Sequence, residues 1–146
     1  MKKLISLLLL LSMLIPAASA ETLPDTYNWY EIFVYSYQDS DGDGIGDFNG
    51  VRQRLDYIAD MGYTGIWFMP IMPSPSYHKY DVTDYKAVDP QYGTMDDFRA
   101  LVKECHDRGI RVIIDLPVNH TSTRHPWFLQ AVESIQKRKF DSPYMD

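Results

Sequence analysis

A chain of 146 residues is long enough for one ordinary domain or for part of a larger one. Its 14 Lys and Arg against 20 Asp and Glu give a formal net charge of −6, which argues against a nucleic-acid or anionic-membrane partner. With 45% hydrophobic and 14% aromatic residues there is ample apolar material for a core, and no charge run resembles a disordered tail.

At the N-terminus Lys2 and Lys3 precede the apolar run Leu4 to Ile15, broken only by Ser6 and Ser12, and then Pro16 and the small residues Ala17-Ala18-Ser19-Ala20. This is the pattern of a secretory signal peptide cleaved after Ala20, with residues 21–146 as the exported part. A membrane anchor would need roughly 20 apolar residues, and the run is shorter and ends in Pro and small residues. No Cys follows it, so a lipid anchor is disfavoured as well. Cleavage leaves 12 basic against 20 acidic groups, and the product is expected to be secreted, without a stable membrane anchor.

From Trp29 to Tyr37 the run WYEIFVYSY is β-branched and aromatic and predicts a strand entering an Asp/Gly loop. That loop, Asp39-Ser40-Asp41-Gly42-Asp43-Gly44-Ile45-Gly46-Asp47, places carboxylates at alternate positions. So many acidic groups repel one another unless a cation sits among them, and hard oxygen ligands at this spacing suit Ca²⁺. Asp39, Asp41, Asp43 and Asp47 would ligate through side chains and Ile45 through its carbonyl. A solvated acidic turn is the alternative. An EF-hand is disfavoured, because Gly50 stands at the twelfth position where a bidentate Glu belongs and the incoming element is a strand.

Val51, Leu55, Ile58 and Ala59 recur at helical spacing, with Gly62 as a stop. Thr64 to Met69 predicts a second strand, followed by a Pro-, Ser- and Tyr-rich loop from Pro70 to about Tyr92. Thr94, with Asp97 three residues on, predicts a capped helix whose buried stripe is Phe98, Leu101, Val102 and Cys105, ending at Gly109. Cys105, the only cysteine, reads as core and not as a nucleophile. Ile110 to Leu116 predicts a third strand, and Pro126 to about Lys137 a short helix with Phe128, Leu129, Val132 and Ile135 on one side.

Strands apolar nearly throughout read as parallel strands buried on both faces, so the fold class is α/β, with the order β-α-β-α-β and right-handed crossovers. Ligands in such sheets gather at the carboxyl edge, where these strands run into the Asp-rich loop, a Tyr/His/Lys/Asp loop and Asn119-His120. Three strands cannot close a barrel of eight, so the chain reads as the beginning of something longer. Trp67 and Trp127 read as core, and His78, His106 and His125 have no spacing that suggests a transition-metal site.

The acidic loop, together with TGIWFMPIMPSPSYHKYDVTDY (Thr64 to Tyr85), DPQYGTMDDF (Asp89 to Phe98) and DLPVNH (Asp115 to His120), resembles the α-amylase family of glycoside hydrolases, family 13, from about Trp29 onward. The resemblance implies a (β/α)₈ TIM barrel acting on α-linked glucans, starch or maltooligosaccharides, with retention, which needs two carboxyl groups about 5 Å apart. It makes Tyr80 the tyrosine that stacks on the sugar in the cleavage subsite and His120 the histidine that hydrogen-bonds that sugar. Outside this context Tyr80 would read as loop packing and His120 as a satisfied structural group. Asp115 becomes a supporting residue, Asp81 and Asp84 hydrogen-bonding loop residues, and Asn119 a candidate ligand of a second calcium.

The family's catalytic Asp, acid/base Glu and further Asp follow the fourth, fifth and seventh strands, and none lies in these residues, so no catalytic residue is assigned and the stretch alone is expected to be inactive. Ser142-Pro143-Tyr144-Met145-Asp146 looks like the opening of the family's inserted domain, and an incomplete sequence or truncated gene is inferred. An α-1,6-glucosidase or transglycosylase of the same family, and a non-catalytic calcium- or sugar-binding protein, remain as alternatives. Tyr77, where oligosaccharide-trimming members often carry an Asp, tilts the reading toward longer chains.

Overall fold

The computed structural model describes residues 26–138 and 142–144, so the expected signal segment lies outside the described residues. Three strands, β1 (Trp29–Ile32), β2 (Gly65–Phe68) and β3 (Arg111–Ile114), form one parallel sheet in the order β1-β2-β3. Ile32 pairs with Phe68, and Phe68 with Ile114. Parallel neighbours need long crossovers. Helices α1 (Phe48–Arg52) and α2 (Leu55–Asp60) make the first, and α3 (Met95–Asp107) the second. After β3, α4 (Pro126–Gln136) starts on a Pro at its first turn, with the His125 ring accepting from the Trp127 N–H.

The pleat sorts the sheet into two faces. Tyr30, Ile32, Ile66, Phe68 and Val112 share the face that joins Val51, Leu55, Ile58, Leu101 and Cys105 in the core. Phe98 of α3 links the layers, its ring 5.2 Å from that of Phe48 and 6.3 Å from that of Phe68. The predicted capping box is present: the Thr94 hydroxyl accepts from the Asp97 N–H, and the Asp97 carboxylate accepts from the Thr94 N–H. Cys105 is fully buried, and desolvation pushes its thiol up to about 12, in keeping with a core role.

Three expectations change. The first strand stops at Ile32 instead of running to Tyr37, and Val34–Ser36 form a 3₁₀ turn. The last ladder bond runs from the Met69 N–H to the Ile32 carbonyl, and past it the Phe33 and Val34 carbonyls accept from the Ser36 and Tyr37 N–H groups of their own turn instead of from β2. The predicted single helix is two, broken at Gln53 and Arg54, where the Arg54 guanidinium reaches back to the Gln38 side-chain oxygen at 2.8 and 3.0 Å.

Among the described residues burial differs between the two faces of the sheet. The face opposite the helices carries Glu31, Trp67 and Ile113 in one register row, and Trp67 and Ile113 are 38% and 43% exposed. No layer covers that face among the described residues. Trp127 is not core there: it is 40% exposed and stacked between Tyr85 and Tyr144. On α4, Phe128, Leu129 and Ile135 are exposed.

Two glycines exist to let backbone cross backbone. A Cβ on Gly46 would lie 2.0 Å from the Val34 carbonyl oxygen, and one on Gly50 1.9 Å from that of Gln38. Gly50→Ala is expected to cost about 2–3 kcal/mol by forcing that backbone apart, and Thr94→Ala about 1 kcal/mol through the lost cap. Urea denaturation of both variants beside the wild type checks the size and the order of the two losses.

Candidate functional site

All three strands point their carboxyl ends at one rim, and each delivers a polar loop there. At the end of β3 the Asp115 N–H bonds the Phe68 carbonyl at 2.7 Å, fixing the carboxylate at the strand exit. The Tyr80 hydroxyl, from the loop after β2, donates to Asp115 Oδ2. The Tyr80 carbonyl accepts from His120 Nε2 at 3.0 Å, which puts the proton on Nε2 and leaves Nδ1 to accept from the Asn119 amide at 2.9 Å. One neutral tautomer thus satisfies both contacts.

The Tyr80 phenol is pushed up to about 12, first by its hydrogen bond to Asp115, then by burial and by the charges of Asp115 and Glu31. Its ring remains 39% exposed. A half-open aromatic face whose polar tip is tied down, beside a carboxylate and an imidazole, suits a flat ligand with an apolar face and a rim of hydroxyls. The structure brings the expected pair Tyr80 and His120 into direct contact and ties Asp115 to the Tyr80 hydroxyl.

Tyr85, which the sequence did not single out, also lies at this rim. Its hydroxyl lies 2.9 Å from the Pro117 carbonyl and 2.6 Å from that of His120, and so holds the loop bearing the imidazole. Its ring stacks on Trp127, with centroids 5.9 Å apart. Tyr85, Leu116, Val118, His120 and Trp127 line an open cleft of about 460 Å³ next to the Tyr80 contact. The place of Tyr85 at the end of the stretch that begins with Tyr80 was the available signal.

Beneath Tyr80 lies a buried ion pair. Lys79 Nζ sits 2.8 Å from Asp89 Oδ2, with the two side chains only 3% and 5% exposed, and also donates to Gln91 Oε1 at 2.6 Å. Lys79 has φ +65°, a left-handed conformation that costs a residue with a Cβ roughly 1–2 kcal/mol. No short-range sequence signal marks this pair, whose members are ten residues apart in an irregular loop.

In the acidic loop the carboxylates of Asp39, Asp41 and Asp43 place one oxygen each within 4.8 Å of one another. Asp39 accepts from the N–H groups of Gly42 and Gly44 at 2.7 and 2.9 Å, and these bonds hold its carboxyl below the usual carboxylate range. Asp41 and Asp43 each accept from the N–H two residues on, so the loop winds around its own carboxylates. Hard oxygens gathered on such a loop fit a Ca²⁺ donor set. Asp47 is placed differently: it caps α1 by accepting from the Gly50 N–H at 2.7 Å, and it takes both the N–H and the hydroxyl of Ser40 at 2.8 Å. The chain at Ile45 lies between these two parts of the loop.

A family model described as the α-amylase catalytic domain matches residues 31–146. The chain is 52% identical over 118 residues to Alpha-amylase 3 of Dictyoglomus thermophilum, a match that covers 81% of this chain and 23% of that protein. It is 49% identical over 116 residues to a probable oligo-1,6-glucosidase of Bacillus subtilis, covering 79% of this chain and 20% of the relative. Among solved structures, Eubacterium rectale Amy13B superposes with a TM-score of 0.79 at 59% identity, over 82% of this chain and 24% of its own. The chain therefore spans about a quarter or less of the proteins it matches.

The Tyr80 to Asp115 bond has a stated pH window. The phenol is at about 12 in the folded chain against 10.0 free, so its protonated form contributes stability fully below pH 10 and loses it between 10 and 12. The stability advantage of the wild type over Tyr80→Phe is therefore expected to shrink across that interval in urea denaturation. An advantage that is flat with pH means the hydrogen bond does not form.

Proposed function

We propose, for a chain that belongs to the α-amylase catalytic-domain family (glycoside hydrolase family 13) and carries the N-terminal part of its (β/α)₈ barrel, that the working protein is a secreted, calcium-binding α-amylase-type enzyme cleaving α-1,4-glucosidic bonds with retention. The observation that carries this reading is the Tyr80, Asp115 and His120 constellation at the carboxyl edge of the sheet. Tyr80 offers its ring to the apolar face of a pyranose, and His120 bonds the same sugar through a nitrogen that swings from the Tyr80 carbonyl. Asp115 holds the Tyr80 hydroxyl, so that the ring is oriented before substrate arrives.

The bond-breaking carboxylates are expected from later strands of the barrel, and residues 21–146 alone are expected to be inactive. Calcium is proposed on Asp39, Asp41, Asp43, the Ile45 carbonyl and Asp47, where the ion would neutralise the clustered charge and fasten the loop after β1. The N-terminal segment is proposed to direct export and to be cleaved after Ala20.

Cleavage of α-1,6 bonds is kept as a second reading because of the likeness to the Bacillus subtilis protein. Tyr77, 52% exposed and set edge-on to Phe33 and Tyr35, favours longer glucans over it because it stands where oligosaccharide-trimming members often carry an Asp.

The full secreted gene product is expected to clear starch, and Tyr80→Ala is expected to lower kcat/KM on maltooligosaccharides by about ten- to a hundredfold, the range for a lost orienting contact. Sugar binding without turnover would move the reading to a non-catalytic protein. Calorimetry is expected to show Ca²⁺ uptake that Asp43→Ala abolishes, and saturation at a hundred times Kd to stabilise the fold by about 2.7 kcal/mol. Equal uptake by the variant would remove the calcium site.

A further inference from the structure

We propose that Lys79 is a positioning residue for Tyr80: its ion pair with Asp89 holds the left-handed turn that sets the Tyr80 ring on the rim. The inference rests on the reading above that Tyr80 packs on the sugar. Residues 77–82 form no helix or strand, so no ladder fixes this stretch. On its far side Tyr80 is pulled by Asp115 through its hydroxyl and by His120 through its carbonyl. On its near side stands Lys79, at φ +65°, a conformation glycine adopts freely and lysine resists. The Lys79 N–H bonds the Ser76 carbonyl at 3.2 Å, and the rest of its hold is the side chain.

That side chain runs inward, not to solvent. Its ammonium meets Asp89 at 2.8 Å and Gln91 at 2.6 Å and lies 5.4 Å from the centroid of the Tyr92 ring. The receiving turn is itself anchored, with the Asp89 N–H on the Ile71 carbonyl at 2.7 Å, the Tyr92 N–H on the Asp89 carbonyl at 2.9 Å, and the Gln91 N–H on Asp89 Oδ1 at 3.0 Å. A charge is desolvated here only because its partner is fixed in place. The pair thus balances an unfavourable backbone conformation against a favourable interior contact, and Tyr80 is the next residue along the chain.

If the pair serves to hold the turn, a residue that takes the turn without strain makes the pair dispensable. In the full secreted enzyme, Lys79→Met/Asp89→Asn removes both charges, keeps a Cβ at position 79, and is expected to lose about tenfold in kcat/KM on a soluble maltooligosaccharide through a misplaced ring. Lys79→Gly/Asp89→Asn also removes both charges and is expected to recover to within about threefold of the wild type, because glycine needs no strap. Lys79→Gln/Asp89→Asn, an amide pair of nearly the original shape, stands in should the Met variant not fold, and is expected to lose at least about threefold.

Amide hydrogen exchange of a peptide spanning residues 77–85 is followed in parallel. It is expected to quicken in the Met variant and to stay at the wild-type rate in the Gly variant. Equal activity and equal exchange in all variants, or equal losses in the Met and Gly variants, overturn the inference. Should the wild type prove inactive on every α-glucan, the proposed function fails, while the exchange rates still decide whether Lys79 holds the turn.

Discussion

Three parallel strands joined in sequence order impose one constraint from which the rest follows: each crossover must return the chain to the same starting edge, so every strand exits on the same side. The strand exits therefore collect loops that are far apart in sequence. Asp115 comes to Tyr80 across thirty-five residues, and His120 to the Tyr80 carbonyl across forty. The register that sets Phe68 beside Ile114 places Asp115, the first residue past that pair.

The rim loops are built by different means. The acidic loop is wound on its own side chains, each of three aspartates receiving backbone N–H groups within a few residues. The loop after β2 is instead held from below, by the ion pair of Lys79 and Asp89, and from the side, by Tyr85 against the β3 exit. The self-wound loop gathers the carboxylates proposed to hold an ion. The loop strapped from below carries the ring proposed to stack on sugar.

What could be read from residues alone was local. Thr94 with Asp97 at the N3 position announced a cap, and Gly62 and Gly109, both with positive φ, announced helix ends, because those signals act within a single turn. The end of β1 was illegible because an aromatic, β-branched run does not show where its carbonyls turn back on the chain, as those of Phe33 and Val34 do toward Ser36 and Tyr37. Trp127 was misread because a tryptophan in the first turn of a helix does not show which side of that helix is covered. Within the acidic loop, capping and ion ligation both ask for a carboxylate, so the residue type of Asp47 could not reveal the capping bonds that the structure places on it. Tyr80 and His120 were found through a family pattern, whereas Lys79 and Asp89, ten residues apart with no period to mark them, were not.

The burial of Cys105 makes the chain's single thiol a clock. Thiols react through the thiolate and only where a reagent can reach them, and here the thiol is both fully covered and shifted far above neutral pH. A thiol-modifying reagent applied to the folded protein therefore has to wait for α3 to lift from the sheet. With reagent concentrated enough to react faster than α3 recloses, the rate at which label appears is the opening rate itself, a direct measure of how long the second crossover stays closed.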